Sequence, residues 1–318
     1  MVLTQLKWDL PHLHTHLQAA VALEFWTIGY YMSVLYSIKD PSSLPYQLIQ
    51  SVVYQEMFHV ELAANVANAY GLSPVFKSPV YEGDNIPHLD FKLDHPDPTK
   101  QYSPYTAELG PLDESHINAM CLIEYPEWQS AVKPDLRENI SQYGSIGEFY
   151  DAIEFGASEL VDRIQPNHNQ VSFFKRFYKN FSDTTVTKIG GEGIIQVLDL
   201  LGAIVDQGAG KTSGDKEIEP EFQNTADDFY PGWSHYTKFI TLRNSKNWPE
   251  VYSGIASPEP GSPGAQAQQI LIRNFTEFRQ ELEKLFQGQP SPQFGATMAT
   301  LGGNVLNCWK KGAIPKFS

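Results

Sequence analysis

The segment YQEMFHVEL, residues 54–62, places Glu56 and His59 where a helix should be apolar. Residues three apart share one helical face. The apolar members of that face are Ile49, Val52, Ala63 and Ala67, so both polar side chains point inward. Glu24 does the same one helix earlier, on the stripe traced by Leu13, Leu17, Ala20, Ile28, Tyr31 and Leu35. A buried charge costs several kcal/mol unless something compensates it. An inward Glu and a Glu-x-x-His on neighbouring helices are the ligand types of a carboxylate-bridged metal site in a four-helix bundle. Carboxylate and imidazole suit iron, with manganese second. The lack of nearby thiolates argues against structural zinc. The alternative is a partly solvated face with a hydrogen-bonded histidine. The symmetric partner, a second Glu-x-x-His on the last core helix, is missing.

Two further residues could join. Glu124, in LIEYPEW, is a ligand or a carboxylate capping the turn at Pro126. His235, in SHYTKF, is a ligand or a surface histidine at a helix start. Glu192, Gln196, Asp199 and Asp206 form one stripe and read as a polar network, while His12, His14 and His16 are expected to face solvent. Phe25, Trp26 and Tyr30 read as bundle packing.

The elements that must position these groups are mostly helical. A first helix runs from near Pro11 to before Lys39-Asp40-Pro41, and a second from 44 to 69, closed by Gly71 with Pro74 beyond. Seven prolines between 74 and 111 make residues 72–116 a long excursion, with a short hairpin expected around HLDFKLD. The apolar run 117–128 is a short strand or a buried helix. Helices follow at 145–164 and 191–207, then a second excursion at 208–232. Helical spacing resumes at WSHYTKFITL and again at 264–286, and a small-residue helix near the C-terminus should pack on the body.

The 318 residues fit a single domain, 1–318, with a bundle core at about 10–245 and additional C-terminal helices at about 262–312. A net charge of −14 argues against nucleic acid or an anionic membrane as partner. A small-molecule substrate remains. Cys121 and Cys308 make a disulfide framework implausible and suit a reducing cytosol. With no signal-peptide pattern and no run of about 18 apolar residues, a cytoplasmic protein is expected.

The segments LHTHLQAAVALEFWTIGYYMSVLYSIKD, QEMFHVELAANVANAYGLSP, LIEYPEW, GSIGEFYDAI and SHYTKF together resemble the ferritin-like domain family of the iminophenyl-pyruvate dimer synthase type. A violacein-pathway enzyme also carries this domain. The resemblance implies a mainly α, ferritin-like four-helix bundle with long proline-rich excursions and an extra C-terminal helical segment. It implies a metal held by Glu24, Glu56, His59 and His235, with Glu124 as a further candidate, and oxidative coupling of aryl-pyruvate imines. The expected function is a non-haem iron oxidoreductase acting on a small aromatic or amino-acid-derived substrate. The alternative is a ferritin-like binding protein with a degenerate or redox-silent site. One departure bears on this choice. The family pattern QGEG is met here by Gln207-Gly208-Ala209-Gly210, with Ala209 in place of a carboxylate, which points to one metal per chain.

Overall fold

Helix α1 (Leu10–Ser37) starts where the carboxylate of Asp9 accepts from the main-chain N–H of His12, with Pro11 in the first turn. Helix α2 (Leu44–Ala69) follows after a short turn and packs along α1. The computed structural model describes residues 8–93, 97–126, 143–208, 218–224, 228–246 and 248–318. Among these the chain is mainly α-helical, and its β-type pairing is confined to isolated bridges. No described helix is long and apolar enough to cross a membrane.

The next four helices are short. They are α3 (Glu114–Ile123), α4 (Ile146–Glu159), α5 (Gly190–Gln207) and α6 (His235–Ser245). Helix α3 packs on α6 and α4 on α5, while α1 contacts α4 and α2 contacts both α5 and α6. Two long helices therefore face two interrupted ones. The interruptions matter because helix ends, which carry unsatisfied backbone groups and free side chains, fall at mid-bundle. Side-chain caps fix where they fall: Asp113 accepts from His116 N, Ser145 from Glu148 N, and Ser234 from Thr237 N.

Helices α7 (Pro263–Phe286) and α8 (Phe294–Lys310) explain why α1 is apolar nearly all round. The indole N–H of Trp309 on α8 donates to the carbonyl of Ser33 at 3.0 Å. Gly302 gives this contact its closeness: a Cβ there would lie 2.1 Å from the Tyr36 hydroxyl oxygen. On α7, Phe275 and Phe278 stack on Phe25, with centroids 5.3 and 6.2 Å away. Phe25, like Trp26 stacked on Tyr30, is packing, as its helical position suggests.

The proline-rich excursion folds back over α1. Trp26 donates to Val80 O, Tyr30 to Thr106 O and Ser33 to Gly110 O. Of the two readings left open for the run at 117–128, the helix holds over the described residues, as α3 from Glu114 to Ile123. Two expectations need correction. HLDFKLD forms a 3-10 turn at Phe91–Leu93 instead of a hairpin, because Asp90 turns its carboxylate onto the N–H of Lys92 and captures the backbone locally. His16 does not face solvent: it is buried, and its Nε2 lies 2.9 Å from the Tyr143 hydroxyl. Burial holds its pKa down to about 4.

Candidate metal centre

Glu24, Glu56, His59, Glu124 and His235 meet in the middle of the bundle, each at most 2% exposed. Helix α1 supplies Glu24 and α2 supplies Glu56 and His59. Glu124 is the residue that ends α3, and His235 is the first residue of α6. The interrupted helices thus contribute through their ends, and the Ser234 cap fixes where His235 enters.

Nδ1 of His59 lies 3.4 Å from Glu24 Oε2 and 3.8 Å from Glu56 Oε2. Nδ1 of His235 lies 2.9 Å from Glu56 Oε1 and 3.6 Å from Glu124 Oε1. Ligands held tetrahedrally at ~2.1 Å from one ion stand ~3.4 Å apart, which matches this range. The two imidazole rings stack with centroids 5.2 Å apart. Glu56, His59 and His235 each offer one donor atom, and these atoms lie within 4.8 Å of one another.

The tautomers of both histidines follow from their outer neighbours. His59 Nε2 is 2.9 Å from Gln207 Oε1, and the Gln207 amide donates its N–H to the carbonyl of Phe222. His235 Nε2 is 3.1 Å from Gln55 Oε1, which also accepts from the Lys238 ammonium at 3.2 Å. A carbonyl only accepts and an ammonium only donates, so each glutamine presents its oxygen to the imidazole. Each Nε2 therefore carries a proton, and each Nδ1 faces carboxylates.

Glu56 Oε1 and His235 Nδ1, though 2.9 Å apart, have no hydrogen-bond partner, each other included. Both atoms are buried at the centre of the cluster. Hydroxyls reach all three carboxylates, on the second oxygen of Glu24 and on the histidine-facing oxygens Glu124 Oε1 and Glu56 Oε2. Tyr150 donates to Glu24 Oε1 at 2.5 Å and Tyr31 to Glu124 Oε1 at 2.6 Å. Thr27 Oγ1 lies 2.6 Å from Glu56 Oε2 and 2.7 Å from the carbonyl of Glu24.

Electrostatics describe a site short of positive charge. Burial, and then the charge of Glu124, push the Glu56 carboxyl well above its ordinary range. Burial works against the charge of Glu24 too, but His59 outweighs it and holds that carboxyl low. His59 is raised because Glu24 and Glu56 overcome the cost of burying its charge. Protons here stand in for a cation. A cavity of about 10 Å³ touches the centre, lined by Glu24, His59, Glu124, Tyr150, Gly147 and Gly208. A Cβ on Gly208 would lie 3.0 Å from Glu124 Oε2. The donor set and its burial fit a transition metal.

All five residues singled out in the sequence come together. Asp199 and Asp206 do not join them: Asp206 accepts from the N–H of Glu219, and Asp199 is exposed on α5. Glu154 stands apart as well, raised to about 7 by burial and by Asp151. Ala209 lies outside the described residues. Sequence reasoning missed Thr27, Tyr31, Gln55, Tyr150, Gln207 and Lys238. Thr27 and Tyr31 sit three and seven residues after Glu24, a same-face signal that was available. A cleft of about 870 Å³ between α1 and the excursion involves none of the five.

The chain is similar to a ferritin-like protein from Caulobacter vibrioides of known crystal structure. The two are 47% identical, the match covers 98% of this chain and 99% of that one, and the TM-score is 0.87. No curated protein matches the chain. Residues 17–244, which include every member of the cluster, match the family described as Ferritin-like. The chain belongs to the ferritin-like family.

Proposed function

We propose that this ferritin-like protein is a non-haem iron oxidoreductase acting on a small aromatic or amino-acid-derived substrate. Manganese is the second choice of metal. The observation that carries the reading is the convergence of three carboxylates and two Nδ1 atoms in a buried core, with no lysine or arginine among them. Glu24, Glu56, His59, Glu124 and His235 would hold the metal. Iron bound there supplies the redox chemistry by which O2 oxidises an organic molecule.

The two oxygens of Glu56 face different histidines. That places Glu56 between a Glu24/His59 half and a Glu124/His235 half, an arrangement suited to two cations. The alanine at 209 argued for one cation, and the geometry of Glu56 favours two. Three carboxylates against two divalent ions leave a net positive charge, which favours an anionic substrate such as a carboxylate. Tyr31 and Tyr150 orient the outer carboxylates. Gly147 and Gly208 line the cavity of about 10 Å³ that touches the centre, room for about one water.

The resemblance to the iminophenyl-pyruvate dimer synthase type supports aryl-pyruvate imines as substrates and their oxidative coupling as the reaction. The test is O2 uptake by iron-loaded protein given such an imine, made from an aromatic amino acid by a separate oxidase. Uptake coupled to imine loss is the expected result. Imine binding without O2 uptake would favour the redox-silent binding protein. Iron storage fits less well, because the long excursions would obstruct a compact cage subunit.

A further inference from the structure

Behind His235 lies a buried chain of polar groups that the metal reading alone does not use. Lys238 is on α6 one turn after His235, and its side chain is wholly inaccessible. The ammonium donates to Asp228 Oδ2 at 2.6 Å and to Gln55 Oε1 at 3.2 Å. Asp228 is itself fixed, since its other oxygen accepts from the N–H of Tyr230 at 2.9 Å. Gln55 Oε1 in turn faces His235 Nε2 at 3.1 Å. A buried Lys–Asp pair is expensive to assemble, and apolar replacements often stabilise such positions. Its presence therefore asks for a purpose.

The purpose follows from what each group is able to do. An amide can flip end for end, and a flipped Gln55 would present its NH2 to His235. The ring would then have to carry its proton on Nδ1, and the nitrogen facing Glu56 and Glu124 could no longer bind a metal. The ammonium forbids the flip, because NH2 against NH3+ leaves two donors and no acceptor. The sequence partly shows the device: Gln55 precedes Glu56, and Lys238 stands three residues after His235.

We propose that Asp228, Lys238 and Gln55 are positioning residues that lock His235 with its proton on Nε2 and its Nδ1 free for the metal. The proposal rests on the metal-binding reading above. His59 reaches the same state without a charged relay, since a main-chain carbonyl fixes Gln207. The relay is specific to the His235 half of the centre.

Gln55→Met keeps the volume and removes the acceptor, whereas Gln55→Glu keeps an acceptor for both Nε2–H and Lys238. Cobalt(II) is the probe, its binding followed by visible absorption on the full chain. Loss of such an outer partner costs metal affinity by about tenfold to a hundredfold. Gln55→Met should fall by that factor and Gln55→Glu should bind as wild type does, with both variants melting near the wild-type temperature. Equal affinity in wild type and Gln55→Met overturns the relay. A parallel fall in both variants reduces Gln55 to a structural role and also overturns it. A wild type that takes up no cobalt overturns the metal reading, and the relay with it. Should Gln55→Met not fold, zinc-loaded wild type labelled with 15N in histidine decides. The lock requires metal on Nδ1 and a proton on Nε2 of His235, and the reverse tautomer refutes it.

Discussion

Oε1 of Glu56 lies 2.9 Å from Nδ1 of His235, and neither atom has a hydrogen-bond partner. Two buried polar atoms this close, turned past each other toward a shared space, describe a site completed by something both can bind. Burial and the charge of Glu124 push the Glu56 carboxyl up, so a proton takes the place that a cation would hold.

Metal should therefore stabilise the fold strongly. A ligand that binds only the native state at a hundredfold excess over its Kd adds about 2.7 kcal/mol. Thermal melts of the metal-free chain with and without saturating Fe(II) or Mn(II) measure this. The transition should rise with either ion, and in Glu56→Ala it should stay where the metal-free transition lies.

The two tyrosines at the site should remain protonated phenols. Burial, then the charge of Glu24 beside Tyr150 and of Glu124 beside Tyr31, raises both well above their ordinary range. Each donates its proton to a carboxylate. Ferric protein should accordingly lack the visible charge-transfer absorption of a tyrosinate ligand. Tyr150→Phe should keep bound iron but weaken it by about 1 kcal/mol, the worth of one hydrogen bond.

Gly208 should control access and fit. Its φ is negative, but a Cβ would press on Glu124 Oε2 at 3.0 Å and on the carbonyl of Ile204 at 3.1 Å. Gly208→Val should lower cobalt(II) affinity about tenfold, equivalent to about 1.4 kcal/mol, in a chain with an unchanged helical spectrum. Gly147→Ala, at the other wall of the cavity, should have the smaller effect.

Stability should also carry a pH signature unrelated to the metal. Burial raises the Glu61 carboxyl to about 8, although the N–H groups of Phe173 and Phe174 favour its charge. Against an ordinary value of 4.5, the folded chain keeps this proton after the unfolded chain has lost it. The folded state then binds more protons, so this contribution is full below pH 4.5 and is lost as pH rises through about 8. Every tenfold difference in proton affinity between the two states is worth about 1.4 kcal/mol. Glu61→Gln stays neutral and should flatten the slope across that window, as denaturant melts at its two ends would show.

Much of this was legible from residue spacing. Helical period alone turned Glu24, Glu56 and His59 inward, because α1 and α2 are long enough for the stripe to be read. Glu124 and His235 were harder to judge. Each sits at the end of a short helix, where periodicity gives no direction, and only the stacking of α3 on α6 brings them to the centre. The first excursion was legible from its prolines, to within two residues of the start of α3, but not its contacts, since Trp26–Val80 and Tyr30–Thr106 are long-range pairings that local pattern does not encode. His16 was misjudged because alternating histidines at a helix start resemble a solvated end. Tyr143, far along the chain, buries it.

The central claim is that Glu24, Glu56, His59, Glu124 and His235 hold a transition metal. Its most direct test is elemental analysis of the full chain after anaerobic iron loading and gel filtration, alongside Glu56→Ala. Iron should be retained by the wild type, close to two ions per chain if Glu56 links both halves, and lost by a folded Glu56→Ala. Equal iron in the two proteins, or none in the wild type, would contradict the account.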